Sequence, residues 1–295
     1  MNEVVIARYA ENLDWVTQIP AGFSVHLYNK GAPVTSPAVV KRIDRITDCE
    51  NTGRESGTYL RHIAGMGPPS DGYVVFVQGD PFEHSPDFIK LLQAWTQWAD
   101  VQPLSWRWKL KRDIPPTPIL QRETSDFIDG LRVRPEIFSL QNWGPLGFYD
   151  AGTLWLDTTY RSIHGMPEGT SIASHFLRKC GCDALAAQAD AHLLGRFSYG
   201  AVFAARQSRL ATLQGPSLDL LRKAALNHQV YGYVLERLWL HLFGEPFVLP
   251  APELPGKAAP PEIAQPGFIP LDRRRPSTIK LGRLARRISR TLARS

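Results

Sequence analysis

Tyr73-Val-Val-Phe-Val-Gln-Gly-Asp-Pro-Phe-Glu-His84 is the stretch whose reading decides the fold. Tyr73 to Val77 are all β-branched or aromatic, a continuous apolar run of strand length. A strand of that kind is covered on both faces, so it belongs at the centre of a sheet flanked by helices. The run stops at Gln78-Gly79-Asp80-Pro81, where glycine permits unusual backbone angles and proline ends the pairing. Ligands of open α/β sheets bind beyond the carboxyl ends of such strands, which puts Asp80 and His84 where chemistry is normally done. Asp80 also suits the cap of an ordinary strand-to-helix turn, and the residues alone leave both readings open.

Outward from that strand, Val4-Val-Ile-Ala7 reads as a first buried strand, followed by a polar loop holding Arg8 and Glu11 and a short helical pattern, Leu13 to Val16. Nucleotide-binding α/β domains begin this way. Phe23 to Asn29 alternates apolar and polar residues and ends at Lys30-Gly31, which predicts a second strand nearer the sheet edge. In Asn51-Thr-Gly-Arg-Glu55, Asn51 and Gly53 mark a loop, and Tyr59, Leu60 and Ile63 predict a helix starting near Arg54 with Glu55 in its first turn. A helix N-terminus carrying Arg54 suits an anionic ligand; a surface pair of Arg54 with Glu55 suits it equally. Pro86-Asp87 opens a further helix with Phe88, Leu91, Leu92 and Trp95 on one face.

Residues 100–170 lack clean periodicity and hold Trp106, Trp108, Trp143 and Trp155, which fit an acceptor-binding insertion or an irregular layer with tryptophans in the core. Phe197 to Ala205 reads as one buried strand interrupted by Gly200. From Pro216 a long helical region follows, thinned at Gly232, with His228, Gly232 and Glu236 on one stripe. Glu236 on that stripe is either a catalytic carboxylate or a buried structural one satisfied by Arg237 or a backbone donor. His164 and His175 have no companions at metal-ligand spacing.

The chain has 295 residues, 43% hydrophobic, enough for one sizeable core. Cys49, Cys180 and Cys182 are too few and too irregular for a disulfide framework and suit a reducing compartment. No leader pattern and no apolar run of bilayer-spanning length is present, so a cytoplasmic protein is expected. The net charge of +6 resides in the tail: from Leu271 onward nine Lys/Arg stand against one acid, leaving the body near neutral. That balance argues against a dedicated nucleic-acid groove. A proline-rich linker over 249–270 precedes Leu281, Leu284, Ile288 and Leu292, the apolar face of a basic amphipathic helix. Such a tail is expected to lie on the inner, anionic face of a membrane. The resulting division is a body over 1–248, a linker over 249–270 and a tail over 271–295.

Several motifs carry a resemblance: the strand and Ala-Arg-Tyr of 4–15, Tyr28-Asn-Lys-Gly31, Asn51-x-Gly-Arg-Glu55 with Thr58-Tyr-Leu-x-His-Ile63, Val75-Phe-Val-Gln-Gly79 with Pro81, Tyr199-Gly-Ala-x-Phe-Ala204 and Glu236-Arg-Leu-Trp239. Together they resemble a family of unknown function found in fungi and bacteria, which in turn looks like the GT-A glycosyltransferases with their Rossmann-like nucleotide-sugar domain. The resemblance implies a transferase moving a sugar from a nucleotide-sugar donor to a glycan or lipid-linked acceptor hydroxyl in surface polysaccharide synthesis. It implies that Ala7, Arg8 and Tyr9 hold the nucleotide base, and that Asn51, Gly53 and Arg54 approach the nucleotide or its sugar. Gln78-Gly-Asp80 falls on the Asp-x-Asp motif that holds Mn2+ or Mg2+ on the diphosphate. Gln78 replaces the first carboxylate, and an amide is a poorer ligand for such ions, so a divalent cation at Asp80 and His84 is an open point. Gly200 and Ala201 fall on the strand beside the acceptor site. Glu236 matches the region of an inverting base, with Asp80 second. A metal-assisted hydrolase using Asp80, Glu83 and His84, a non-catalytic glycan or nucleotide-sugar binding protein, and a nucleic-acid binder acting through the tail are the alternatives.

Overall fold

Tyr73–Gln78 (β4) sits at the heart of a six-stranded sheet, between Asn2–Arg8 (β1) and Phe203–Arg206 (β8). The computed structural model describes residues 1–106, 128, 130–141, 143–145 and 151–251; Trp108, most of the proline-rich linker and the basic tail fall outside the described residues. Phe23–Asn29 (β2) and Arg45–Asp48 (β3) complete a parallel set with β1 and β4. β8 then pairs antiparallel with both β4 and Val101–Pro103 (β5), giving the order β3-β2-β1-β4-β8-β5.

Side-chain alternation along the strands feeds two core layers. Val5, Val74 and Phe76 join Tyr59, Leu60 and Ile63 of Arg54–Ala64 (α2) and Val234, Leu235 and Leu238 of Val230–Leu242 (α9). Val4, Ile6, Val75 and Val77 face the other way, with Val39 of Pro37–Arg42 (α1) and Phe88, Leu91 and Leu92 of Phe88–Gln93 (α3). The result is a mixed α/β fold, a mixed sheet flanked by helices. A smaller antiparallel sheet holds Glu136–Ser139 (β6), His192–Phe197 (β7) and Val248–Pro250 (β9), and α9 packs against both β7 and α2. Ala151–His164 (α4), Ile172–Lys179 (α5), Asp183–Asp190 (α6), Gln207–Leu210 (α7) and Pro216–Asn227 (α8) are further described α-helices. None of the described helices is long and apolar enough to cross a membrane.

Four local expectations are corrected. Phe197 to Ala205 is not one strand: Gly200 (φ 70°) and Ala201 (φ 54°) are both left-handed and carry the chain from the small sheet into the large one. The region after Pro216 breaks at His228, not Gly232, because His228 is extended (φ −153°) and its Nδ1 accepts the Val230 N–H at 3.1 Å. His228 therefore leaves the stripe, and only Gly232 and Glu236 share α9. Trp95 lies beyond the end of α3 and is 38% exposed, so it leaves that helix's buried face. Pro250, expected in a linker, closes β9, an edge strand where its missing N–H costs no ladder bond. Trp143 is core, wholly buried against Phe138.

One polar group interrupts the layer beneath α2: Glu3, with His26 and His62 at 3.7 and 3.5 Å. Burial pushes the Glu3 carboxyl up, but the two imidazoles beside it outweigh that and bring the pKa to about 2.

His241 makes stability pH-dependent. Its Nε2 accepts the Arg196 N–H at 2.9 Å, so Nδ1 carries the proton that bonds the Glu245 carbonyl at 2.7 Å. Burial lowers its pKa to about 4. The unfolded chain takes up a proton near pH 6.5 that the folded chain refuses, so stability is complete above that pH and falls as pH drops toward 4. Urea titrations are expected to show about 3 kcal/mol lost across that window through this group. A His241→Gln variant, compared with wild type at both pH values, should lose that part of the slope; an unchanged slope rules His241 out as its source.

Candidate active site

The parallel strands deliver their carboxyl ends to one rim, because register places Arg8 opposite Asn29, Asn29 opposite Asp48 and Ala7 opposite Gln78. β8 joins from the opposite direction with Phe203 opposite Phe76, so Gly200 and Ala201, just before it, reach the same rim. The three loops after β1, β3 and β4 therefore share one edge of the sheet.

Those loops are stitched together by their own polar groups. Arg8 donates through Nη1 to Asn29 Oδ1 and the Ala32 carbonyl, each at 2.6 Å, and through Nε to the Glu11 carbonyl at 3.0 Å. Asn29 Nδ2 continues to Asp48 Oδ1 at 3.0 Å. The Lys30 ammonium bonds the Thr52 carbonyl at 2.8 Å and the Arg54 carbonyl, and burial lowers its pKa. Glu11 Oε2 accepts the Tyr9 and Ala10 N–H groups at 2.7 and 3.0 Å and lies over Gly79, where a Cβ would come within 2.5 Å of it. Trp15 Nε1 donates to the Gly79 carbonyl at 2.9 Å. Arg8, expected on the nucleotide, is thus a tie between loops, while Ala7 is nearly buried and Tyr9 is 40% exposed beside it.

Arg54 has a different environment. Gly53 (φ 65°) and Arg54 (φ 49°) are consecutive left-handed residues at the start of α2. Such angles cost energy for a residue with a Cβ and cluster at functional sites. The guanidinium donates to Tyr233 Oη at 2.9 Å, stacks 4.7 Å over that ring, and lies 3.6 Å from Glu55. Burial works against its charge, but Glu55, Tyr233 and Glu236 more than offset this and raise its pKa. Asn51 is exposed at the same loop.

The backbone of Gly200 is held from both sides. Its N–H donates to Glu236 Oε1 at 2.8 Å and its carbonyl accepts from Gln78 Nε2 at 2.8 Å. The His84 ring lies against it: a Cβ on Gly200 would stand 2.2 Å from His84 Cδ2, and Tyr199 packs edge-on to that ring at 4.8 Å. Ala201 follows, its carbonyl accepting from Tyr59 Oη at 3.3 Å. A hydrogen bond to a carbonyl needs a donor, which an amide has and an ionised carboxylate lacks. Gln78 makes this bond as an amide, which an ionised carboxylate at position 78 could not. Arg237 on α9 donates to Thr153 Oγ1 at 2.6 Å and lies over the Phe197 ring.

Asp80 is exposed, and its Oδ1 accepts the Phe82 N–H at 3.0 Å, the capping role open to it from the outset. Glu83 is exposed as well. Among the described residues Asp80, Glu83 and His84 do not form a three-ligand metal group. With Gln78 acting as a donor and Asp80 closing a turn, these side chains do not fit a cation held in the Asp-x-Asp manner.

The structure thus unites Arg54, Gln78, Gly200, Ala201, His84 and Glu236, and adds Tyr233 and Lys30, which sequence reasoning missed. Tyr233 is one helical step from Glu236 at i, i+3, a signal that periodicity offered. No protein-family model and no curated protein matches the chain.

Gln78→Glu should destabilise the fold by about 1–3 kcal/mol in urea titration, because the Gly200 carbonyl loses its donor and meets a charge instead. A Gln78→Glu variant as stable as wild type would show that the Gln78–Gly200 bond is not a tie the fold depends on.

Proposed function

We propose that the rim binds a nucleotide sugar and that the protein transfers the sugar to an acceptor hydroxyl on a glycan or lipid-linked glycan, in the manner of GT-A enzymes. The observation that carries this reading is the linked set of Arg54, Tyr233, Glu236 and Gly200 at the carboxyl ends of parallel strands, the ligand edge of an open α/β sheet. Displacement of a diphosphate builds negative charge on the leaving group and positive charge on the sugar. Arg54, fixed against the Tyr233 ring, meets the diphosphate. Glu236 takes the proton of the acceptor hydroxyl, exchanging its bond to the Gly200 N–H for one to the hydroxyl. Gln78 and His84 position Gly200 beneath the sugar. No step is assigned to Mn2+ or Mg2+, since the residues at 78 and 80 do not fit one. The basic tail carries the protein to an anionic membrane surface, where a lipid-linked acceptor resides.

One observation favours a second reading, a nucleotide-sugar binding protein without chemistry: Glu236 already has a structural task on the Gly200 N–H. Two variants separate the readings. A uridine, guanosine or thymidine diphosphate sugar at 100-fold its Kd is expected to stabilise the protein by about 2.7 kcal/mol in thermal shift. Arg54→Gln should weaken that binding at least about tenfold, as loss of a charge-assisted contact does. Glu236→Gln should leave binding intact and lower sugar transfer by about 10²–10⁴-fold. Binding that is retained without any transfer in wild type selects the binding protein, and a screen in which no nucleotide sugar shifts the melting curve removes the donor site altogether.

A further inference from the structure

A second constellation lies away from the rim, on the α2 side of the sheet and toward the amino ends of its strands. Glu3 stands near the start of β1, His26 is diagonal to it on β2, where Glu3 pairs with Ser24 and Val5 with His26, and His62 comes down from the last turn of α2. All three point into the layer that apolar residues fill further along the same strands. His26 and His62 are 3% and 7% exposed, which is costly for imidazoles that serve only to pack.

The ring orientations are those of metal-binding histidines. His26 turns Nδ1 toward Glu3 Oε1 at 3.7 Å while its Nε2 bonds Thr47 Oγ1 at 2.9 Å. His62 turns Nε2 toward Glu3 Oε2 at 3.5 Å while its Nδ1 bonds Tyr28 Oη at 3.3 Å. Each ring thus has its outer nitrogen engaged by a hydroxyl, which fixes orientation, and its inner nitrogen aimed at the same point. The inner nitrogen of His62 is fully buried and makes no hydrogen bond among the described residues. One ligand atom from each residue falls within a 4.8 Å group, and no other such three-residue group exists among the described residues. Tetrahedral ligands about 2.0–2.1 Å from Zn2+ lie roughly 3.3 Å from one another. The two Glu3 contacts, at 3.7 and 3.5 Å, are within a few tenths of an ångström of that, and drawing the two imidazoles onto one ion closes the remainder of a group that spans at most 4.8 Å. The group lines a cavity of about 240 Å³ that Arg45, Met66 and Gln207 also line.

We propose that Glu3, His26 and His62 form a divalent transition-metal site of the zinc class, with a fourth position open to this cavity. Two imidazoles and one carboxylate suit Zn2+ and not Mg2+ or Ca2+, which take oxygen ligands. Three protein ligands with an open position is the arrangement of zinc that binds water or a substrate atom, and Arg45 beside it provides for an anionic group on that ligand. The site stands apart from the nucleotide-sugar reading and persists if that reading fails.

The test uses the full chain with no added nucleotide sugar. Equilibrium dialysis against Zn2+ alone, with a competing chelator to set the free concentration, is expected to give one equivalent bound, with Mg2+ not competing. Co2+ in place of Zn2+ should give the intense visible absorption of a four-coordinate ion. His62→Gln and His26→Gln should each weaken Zn2+ binding at least about 100-fold and abolish the Co2+ spectrum, while Thr47→Val should weaken it about 10–100-fold, as loss of an outer-shell partner does. Far-UV circular dichroism establishes that each variant is folded. If the histidine variants do not fold, Thr47→Val, which keeps all three ligand atoms, carries the test through its affinity and spectrum. Absence of stoichiometric Zn2+, or binding that Thr47→Val and the histidine variants leave unchanged, overturns the proposal, and the triad is then an ion pair network alone.

Discussion

Two side-chain hydrogen bonds to the backbone of one glycine tie the central strand and α9 to the turn between the two sheets. Gln78 comes from the end of the central strand, Glu236 from α9, and Gly200 from the turn that carries the chain between sheets. A buried backbone N–H or carbonyl without a partner costs about as much as a lost hydrogen bond, so both ties are needed wherever water is excluded. The turn is left-handed at Gly200 and at Ala201, and strain of that kind persists only where surrounding contacts over-determine it. Gln78, Glu236, Tyr59 and His84 supply those contacts.

The same economy of polar groups runs along the rim. Arg8, Asn29, Asp48, Lys30 and Glu11 spend their hydrogen bonds on neighbouring loops, which leaves Arg54 as the cation set against an aromatic ring and two carboxylates. A site whose loops are tied to one another is preorganised, and preorganised dipoles stabilise developing charge without first having to reorient. Toward the amino ends of the strands, on the same α2 side, Glu3, His26 and His62 make a second polar centre, so α2 connects the two with Arg54 at its first turn and His62 in its last.

What could be read from the residues followed from periodicity. The apolar run Tyr73 to Val77 had to be buried on both faces, and the structure has it between β1 and β8. Gly53-Arg54-Glu55 announced the start of α2, because a left-handed glycine and an acidic first turn are local properties. Asp80 as a turn cap was equally local. The errors share a cause. Phe197 to Ala205 has strand composition throughout, and nothing in it shows that its two ends pair with different sheets. The alternation rightly placed β2 nearer the sheet edge, next to the edge strand β3, but nothing in it showed that His26 faces a covered layer and finds Glu3, Thr47 and His62 there.

Composition and spacing alone determined the class of fold, the central strand, the helix that starts at Arg54 and the loop that follows the central strand, since each depends on residues a few positions apart. Only the tertiary structure decided that Gln78 is a donor to Gly200, that Arg8 ties loops, that Tyr233 meets Arg54, and that Glu3, His26 and His62 converge. The physical reason is that a side chain's role is set by which group it can reach, and reach across a folded chain depends on register and packing between segments whose separation in sequence carries no distance information.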